Sequence, residues 1–464
     1  MKFSPRTVGL AVLLASVGPS ITVAQSTKAD SINGRWDASL TNHGAVIPFR
    51  LDISGSGPSL KGTFYDGFKP YDGTTSASLQ GDHLVLNIEH YLTTIDATFK
   101  DGKLTGNVLT QNRSASNGYG FEATRHVESN VSATDVPSIA GSWEIPLDSP
   151  TSKGEKAFRF IVEQHGADVA ASILRVDGDT GAYSGTYKDG KWILSHFDGS
   201  RPGVIQVSAG KDGTLEIQQN AARPKQAAKE GAASGSYQTA STASKQYAED
   251  PSDSRYTTRL TAYRSEVARA KGFPEPENYE THTTVRDPKE KFAFNFPDVN
   301  GKLVSSEDPR FKNKVVLAIV TGTWCPNCHD EAQYLVQLDK KYRDKGLAIV
   351  ALDFEEPEQL GSLARERAFV KQYGVEYTYL IAGAPAEMWE KVPQAVNLNT
   401  WPATIFVGRD GLVKGIHSGF ASPASGEFNK QLQDEFTAKI EQLLAEKASQ
   451  NVASASVPSV PSGR

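Results

Sequence analysis

Cysteine occurs twice in these 464 residues, and the two sulfurs stand three positions apart, at Cys325 and Cys328. A chain with that usage has no disulfide framework to hold it, so its cores must be apolar, and whatever the sulfurs do, they do together. The pair follows closely on Val315 to Val320, an unbroken apolar run of the kind a strand makes when both its faces are buried. Helical spacing then runs from Pro326 to Tyr342. The chain must therefore place its thiols at the turn from a buried strand into a helix.

The same alternation continues to the C-terminal region. The pattern predicts a strand over 347–354, a helix around 359–373, a short strand near 377–381, strands over 403–407 and 413–417 joined by Arg409-Asp410-Gly411, and a last helix from about 428 to 447. Alternating β and α elements predict a central sheet with helices on both faces, assigned to 286–448.

The first half differs. Short alternating runs such as 47–53 and 83–88, broken by Asp-Gly and Gly-rich turns, predict antiparallel β structure over 31–127. A second unit over 138–240 repeats it. Ser31-Ile32-Asn33-Gly34-Arg35-Trp36 recurs as Ser138-Ile139-Ala140-Gly141-Ser142-Trp143, and Asp72-Gly73, His83-Leu84-Val85-Leu86 and Asp101-Gly102 recur at Asp177-Gly178, Lys191-Trp192-Ile193-Leu194 and Asp212-Gly213. Near-constant offsets of 105 to 111 positions indicate a duplicated unit, two tandem barrels or sandwiches. Trp36 and Trp143 are read as core residues. The histidines here (His43, His83, His90, His126, His165 and His196) are scattered along strands, form no metal-ligand set and are read as surface or hydrogen-bonded residues. No metal site is assigned.

Lys2 and Arg6, the apolar stretch from Val8 to Val17 and the small residues before Gln25 have the form of an export signal over 1–24. That stretch is shorter than the roughly 18 apolar residues a membrane span needs, so a soluble product in the periplasm or cell envelope is expected. Residues 241–285 are read as a linker with a short helix, Leu260, Tyr263 and Val267 having helical spacing, and 449–464 as a disordered tail. The net charge of −5, without a basic block, argues against nucleic acid as a partner.

In Trp324-Cys325-Pro326-Asn327-Cys328 the spacing has a mechanism. Cys325 falls at the N-cap and Pro326 at the first helical position, where a missing N–H costs nothing. The unpaired amides of the helix start stabilise a Cys325 thiolate and make it the attacking group. Cys328, one turn along, can resolve a mixed disulfide.

The segment from about Phe292 to Ala445 resembles the TlpA/ResA-like thiol-disulfide oxidoreductases of the thioredoxin superfamily. The resemblance rests on Phe296-Pro297-Asp298 with Gly301-Lys302, Lys314-Val315-Val316-Leu317, Trp324 to Cys328, Glu331, Leu352-Asp353, and Trp401-Pro402-Ala403-Thr404-Ile405-Phe406-Val407 followed by Asp410-Gly411. It implies a thioredoxin fold, a cis Pro402 whose backbone faces the sulfurs, and a substrate site formed with Trp324, Pro326, Trp401 and Pro402. It also implies a redox-active Cys325–Cys328 disulfide with no other cofactor. The buried Asp of thioredoxins proper is replaced by Ile319, which leaves Glu331 as the candidate to take the Cys328 proton. Asp330 is expected to be solvated. The implied partners are a protein disulfide or dithiol and a separate thiol electron donor, a membrane thiol carrier being one candidate. The implied role is disulfide reduction, with cytochrome c maturation as a possible setting.

Three other chemistries use the same cysteines. Cys325 to His329 also matches the Cys-x-x-Cys-His pattern of covalent haem attachment, with Met388 as the available distal ligand. A peroxiredoxin-like peroxidase would need a Thr where Gly322 stands. Cu(I) could be held by both thiolates with His417 as third ligand.

Overall fold

Two antiparallel meanders account for the first half of the chain. The computed structural model describes residues 31–42, 45–112, 115–127, 136–179, 181–220 and 257–446; the predicted export signal, residues 241–256 of the predicted linker and the tail lie outside the described residues. In the first meander, nine strands run from Gly34–Asn42 to Ala115–Arg125, and the first pairs with the last. The consecutive strands Lys69–Gly73 and Ser76–Gln80 form its two edges, so the sheet is a curled half-barrel. The second meander is a closed eight-stranded barrel from Gly141–Pro146 to Thr257–Arg264. Its core alternates along each strand, as a barrel interior requires: Val169, Ala171 and Ile173, then Trp192 and Leu194, Ile205 and Val207, Leu215 and Ile217.

The last strand of this barrel corrects the sequence reading. Residues 257–264, assigned to a linker and given helical spacing, form a strand paired with both Leu215–Asn220 and Gly141–Pro146, and helix begins only at Ser265. Thr257, Thr258 and Thr261 favour extended backbone. The open edge of seven strands supplies hydrogen-bond partners that a helix would leave unpaired. Barrel 2 thus extends past residue 240 to Arg264.

The repeat has a physical basis in both units. Trp36 and Trp143 are buried near the starts of the first strands, and a guanidinium from the last strand lies over each ring, Arg125 at 3.9 Å and Arg264 at 3.8 Å. The same arginines donate to the carbonyls of Asn33 and Ala140, both at 2.8 Å. Gly34 (φ +131°) and Gly141 (φ +108°) sit beneath them, where a Cβ would stand 3.0 and 2.8 Å from the guanidinium. The Gly-x-Trp spacing repeats because the stack repeats.

The C-terminal region is a five-stranded sheet in the order β3-β2-β1-β4-β5: β1 (Val315–Thr321), β2 (Leu347–Phe354), β3 (Thr378–Gly383), β4 (Ala403–Val407) and β5 (Val413–Ser418). β1, β2 and β3 are parallel, and β4 and β5 antiparallel to their neighbours. Its principal helices are α1 (Pro326–Tyr342), α2 (Ala364–Tyr373) and α3 (Glu427–Ala445). Every residue of β1 is buried: Val316, Ala318 and Val320 face one core, Val315, Leu317 and Ile319 the other. From Asn33 onward the described chain is one compact unit. The barrel contributes Leu174 and Ile161 to the apolar cluster that also holds α1 and α3 residues.

Candidate active site

Cys325 is the N-cap of α1, with extended backbone (φ −101°, ψ 114°), and Pro326 occupies the first turn. The Cys328 amide donates to the Cys325 carbonyl at 3.0 Å. Burial disfavours a Cys325 thiolate, but the hydrogen bond from the Cys328 thiol and the charge of Arg201 outweigh it and hold Cys325 below the ordinary thiol range. Cys328, enclosed and beside that thiolate, is pushed well above it. The two sulfurs are thus electrostatically unequal, one suited to attack and one to keep its proton.

Across from them, the Trp401–Pro402 peptide is cis, and the Cys325 Sγ lies 3.4 Å from the Trp401 carbonyl oxygen. Gly419 N donates to the Pro402 carbonyl at 2.8 Å, tying this loop to the end of β5. Trp324 packs edge-on against Trp401, with ring centroids 5.1 Å apart, and donates its Nε1 proton to Phe354 O. Glu331, three residues past Cys328 on α1, is buried and accepts a hydrogen bond from Thr404 on β4. Burial raises its carboxyl to about 8 against the lowering bond from Thr404, and the Cys325 charge adds to the rise.

The neighbours of the motif are less exposed than the sequence suggests. Asp330, expected to be solvated, is buried and accepts from the Tyr71 hydroxyl of the half-barrel; burial and the Asp179 charge push its carboxyl well up. The correction follows from packing, because the outer face of α1 meets the half-barrel. His329 is fully buried and stacked on Tyr91 at 4.3 Å. Its Nε2 lies 2.7 Å from the Thr323 carbonyl and must carry the proton, and its Nδ1 accepts from Tyr373 Oη at 2.8 Å. Burial, with His90 facing it, keeps the ring neutral. Both ring nitrogens are therefore engaged. His417 packs against Tyr279 and Phe436 with its Nδ1 toward Gly419 O, among side chains of the core cluster that does not hold the cysteines.

Residues 288–416 match the AhpC/TSA family. Over 128 residues the chain is 32% identical to the thioredoxin-like protein YneN of Bacillus subtilis, covering 26% of this chain and 69% of that protein. It is 29% identical over 152 residues to the thiol-disulfide oxidoreductase ResA of Bacillus thuringiensis subsp. konkukian, covering 33% of this chain and 77% of that protein. The chain belongs to the thioredoxin-like thiol-disulfide oxidoreductases. Among solved structures, a thiol:disulfide interchange protein DsbE from Chlorobium tepidum matches 33% of this chain and 98% of its own at 21% identity, with a TM-score of 0.27.

In this oxidoreductase the dithiol is enclosed by the chain's own barrel. Cys325 is 3% exposed and Cys328 1%. Asn327, between them, donates through Nδ2 to the Asp177 carbonyl of the barrel at 2.6 Å, and Gly178 forms a parallel bridge with Phe420 beside the Pro402 loop. Gly178 (φ +118°) is required there, since a Cβ would meet Phe420 O at 2.3 Å and the Asn327 amide at 2.8 Å. Asp179 accepts from Ser422 N and from the Ser425 hydroxyl, completing the seam. Asn327, Asp177, Gly178 and Arg201 were missed by the sequence reading as site residues. The repeated Asp-Gly at 177–178 marked a turn but carried no signal of where that turn docks.

Proposed function

We propose that this chain is an exported disulfide reductase of protein substrates, in which Cys325 is the nucleophile, Cys328 the resolving thiol and Glu331 the proton acceptor, with Trp324, Pro326, Trp401 and Pro402 forming the substrate site. The observation that carries this reading is the Cys325 thiol at the start of α1, lowered by its neighbours and facing the Trp401 carbonyl. The Cys325 thiolate attacks one sulfur of a substrate disulfide, forming a mixed disulfide and releasing the other sulfur as a thiolate that takes a proton. Cys328 gives its proton to Glu331 and attacks Cys325 Sγ; the Cys325–Cys328 bond forms, and the substrate leaves as a dithiol. Two electrons pass from the enzyme to the substrate. With no third cysteine in the sequence, a separate thiol donor has to restore the dithiol, and a membrane thiol carrier fits that need. Among the described residues no helix is long and apolar enough to cross a membrane. Apo-cytochrome c thiols awaiting haem are the substrate the resemblance suggests.

The enclosure of the dithiol supports a further part of this reading: the loop at 175–179 of the barrel gates access, and a protein substrate engages only when that loop withdraws. Trapping tests the whole scheme. Cys328→Ser is expected to accumulate mixed disulfides and Cys325→Ser to lose exchange entirely. Turnover surviving in Cys325→Ser would reject the nucleophile. A reduction potential near about −270 mV supports a reductant, and one near about −120 mV an oxidant.

A further inference from the structure

The C-terminal end of β2 and the first turn of α2 carry a knot of charge that thiol exchange does not use. Asp353, Glu355 and Glu366 are each 0% exposed, and one carboxylate oxygen from each lies within 4.8 Å of the others. Glu356 is buried beside them. The basic group ion-paired here is Arg365, shared between Glu355 and Glu356; Arg367, whose charge also reaches Glu366, is held at the Ser362 carbonyl. Four buried carboxylates against one buried guanidinium leave an excess of negative charge that a dry interior does not tolerate uncompensated.

The hydrogen bonds do not remove that excess. Glu355 is satisfied by the Thr323 hydroxyl, the Glu356 amide and Arg365. Both oxygens of Asp353 and both of Glu366 are buried without a hydrogen-bond partner, and the Thr323 N–H faces Asp353 outside bonding geometry. A further group, separate from the acids, points the same way. The Tyr379 hydroxyl on β3 is also buried and unpartnered. Tyr379 pairs in register with Ala351, two residues before Asp353, so both side chains lie on the same face of the sheet. The Tyr379 hydroxyl feels the charges of Asp353, Glu355 and Glu366 together, so it stands near the same carboxylates without bonding any of them.

We propose that Asp353, Glu355 and Glu366 bind one Ca²⁺ ion, with the Tyr379 hydroxyl as a neutral oxygen donor. All-oxygen carboxylate sets suit hard divalent cations. Ca²⁺ takes its oxygen ligands at about 2.4 Å in flexible geometry, which suits carboxylates converging from a strand end and a helix start. Mg²⁺ prefers about 2.1 Å and keeps several of its waters, which a fully enclosed site cannot accommodate. The ion would brace the thiol loop from behind, because Thr323, which bonds Glu355, directly precedes Trp324 and Cys325 and accepts from His329 through its carbonyl.

The test uses the full chain unfolded in chelator and refolded with and without Ca²⁺, because the site is closed to simple soaking. Expected are one equivalent of Ca²⁺ per chain by elemental analysis and a Tm that rises with added Ca²⁺. Tb³⁺ should show tyrosine-sensitised luminescence that Ca²⁺ displaces. Glu366→Gln, close in shape to the native residue, should lose the equivalent and the Tm response, as should Asp353→Asn. A wild-type chain that refolds with no bound Ca²⁺ and a Tm indifferent to Ca²⁺ and chelator overturns the site and leaves shared protons as the compensation. Equal occupancy by Mg²⁺ overturns the choice of ion. If neither variant folds, the wild-type stoichiometry and Tm response decide alone.

Discussion

Glu331 and Cys328 show how much a single residue's environment decides. Glu331 is the only carboxylate within one helical turn after Cys328 that bonds the sheet rather than the half-barrel, Asp330 being turned to Tyr71. Because burial lifts its carboxyl from 4.5 to about 8, it is largely protonated at neutral pH and becomes a base as pH rises. The resolving step is expected to accelerate through about pH 8, and Glu331→Gln should slow it and flatten that rise while leaving the first attack by Cys325 intact; stopped-flow exchange across pH 6 to 9.5 reads both steps. A rise that persists in Glu331→Gln would assign it to the thiols. The same shift bears on stability. The native state favours the protonated form, so this group's contribution is full below about pH 4.5 and declines as pH climbs through about 8. At neutral pH the Gln variant should therefore be no less stable than the parent in denaturant titrations.

Among the elements, the paired Trp–Arg stacks explain why two β units of different closure share one sequence signature. One unit is a half-barrel and the other a closed barrel, yet each joins its first and last strands under the same guanidinium. A cation over an indole contributes about 0.5–1 kcal/mol at a partly exposed site, and here it also sets the entry of the first strand. Gly141→Ala should cost more than about 1 kcal/mol, since the new Cβ is strained at positive φ and meets Arg264. Gly154→Ala, also at positive φ (+90°) but with open space around it, isolates the strain. Equal losses for the two variants in urea titrations would show that the stack does not constrain the turn.

The whole molecule holds its buried cysteine pair beside its own second β unit. Both copies of the repeat reach the start of α1: Tyr71, beside the first Asp-Gly, bonds Asp330, and Asp177, of the second, bonds Asn327. The duplicated region thus grips the helix that carries the thiols from two sides. If the loop at 175–179 gates access, Gly178→Val, which collides with Phe420 and Asn327, and Asn327→Ala, which removes a donor, should each raise the rate at which a maleimide labels Cys325 several-fold in the reduced protein. Unchanged labelling in both variants would remove the gate from the scheme.

The sequence by itself determined the local parts. A buried strand, a proline at the first helical position and two thiols one turn apart specify the strand and the N-cap, because these depend on neighbours within a few residues. Helix α1 runs from Pro326 to Tyr342 and β2 from Leu347 to Phe354, the spans their periodicity predicts. The repeat was legible for the same reason, since a Gly and a Trp two positions apart record one strand entry. Only the tertiary structure decided the rest. Residues 257–264 have spacing compatible with a helix, and the unpaired edge of seven strands made them a strand. Asp330 has a place on the outer face of α1, and a tyrosine more than 250 positions earlier made it buried. The enclosure of the dithiol and the gathering of Asp353, Glu355, Glu366 and Tyr379 likewise depend on partners distant in the chain. Their burial and charge, and with them their chemistry, are set by which surfaces meet after folding.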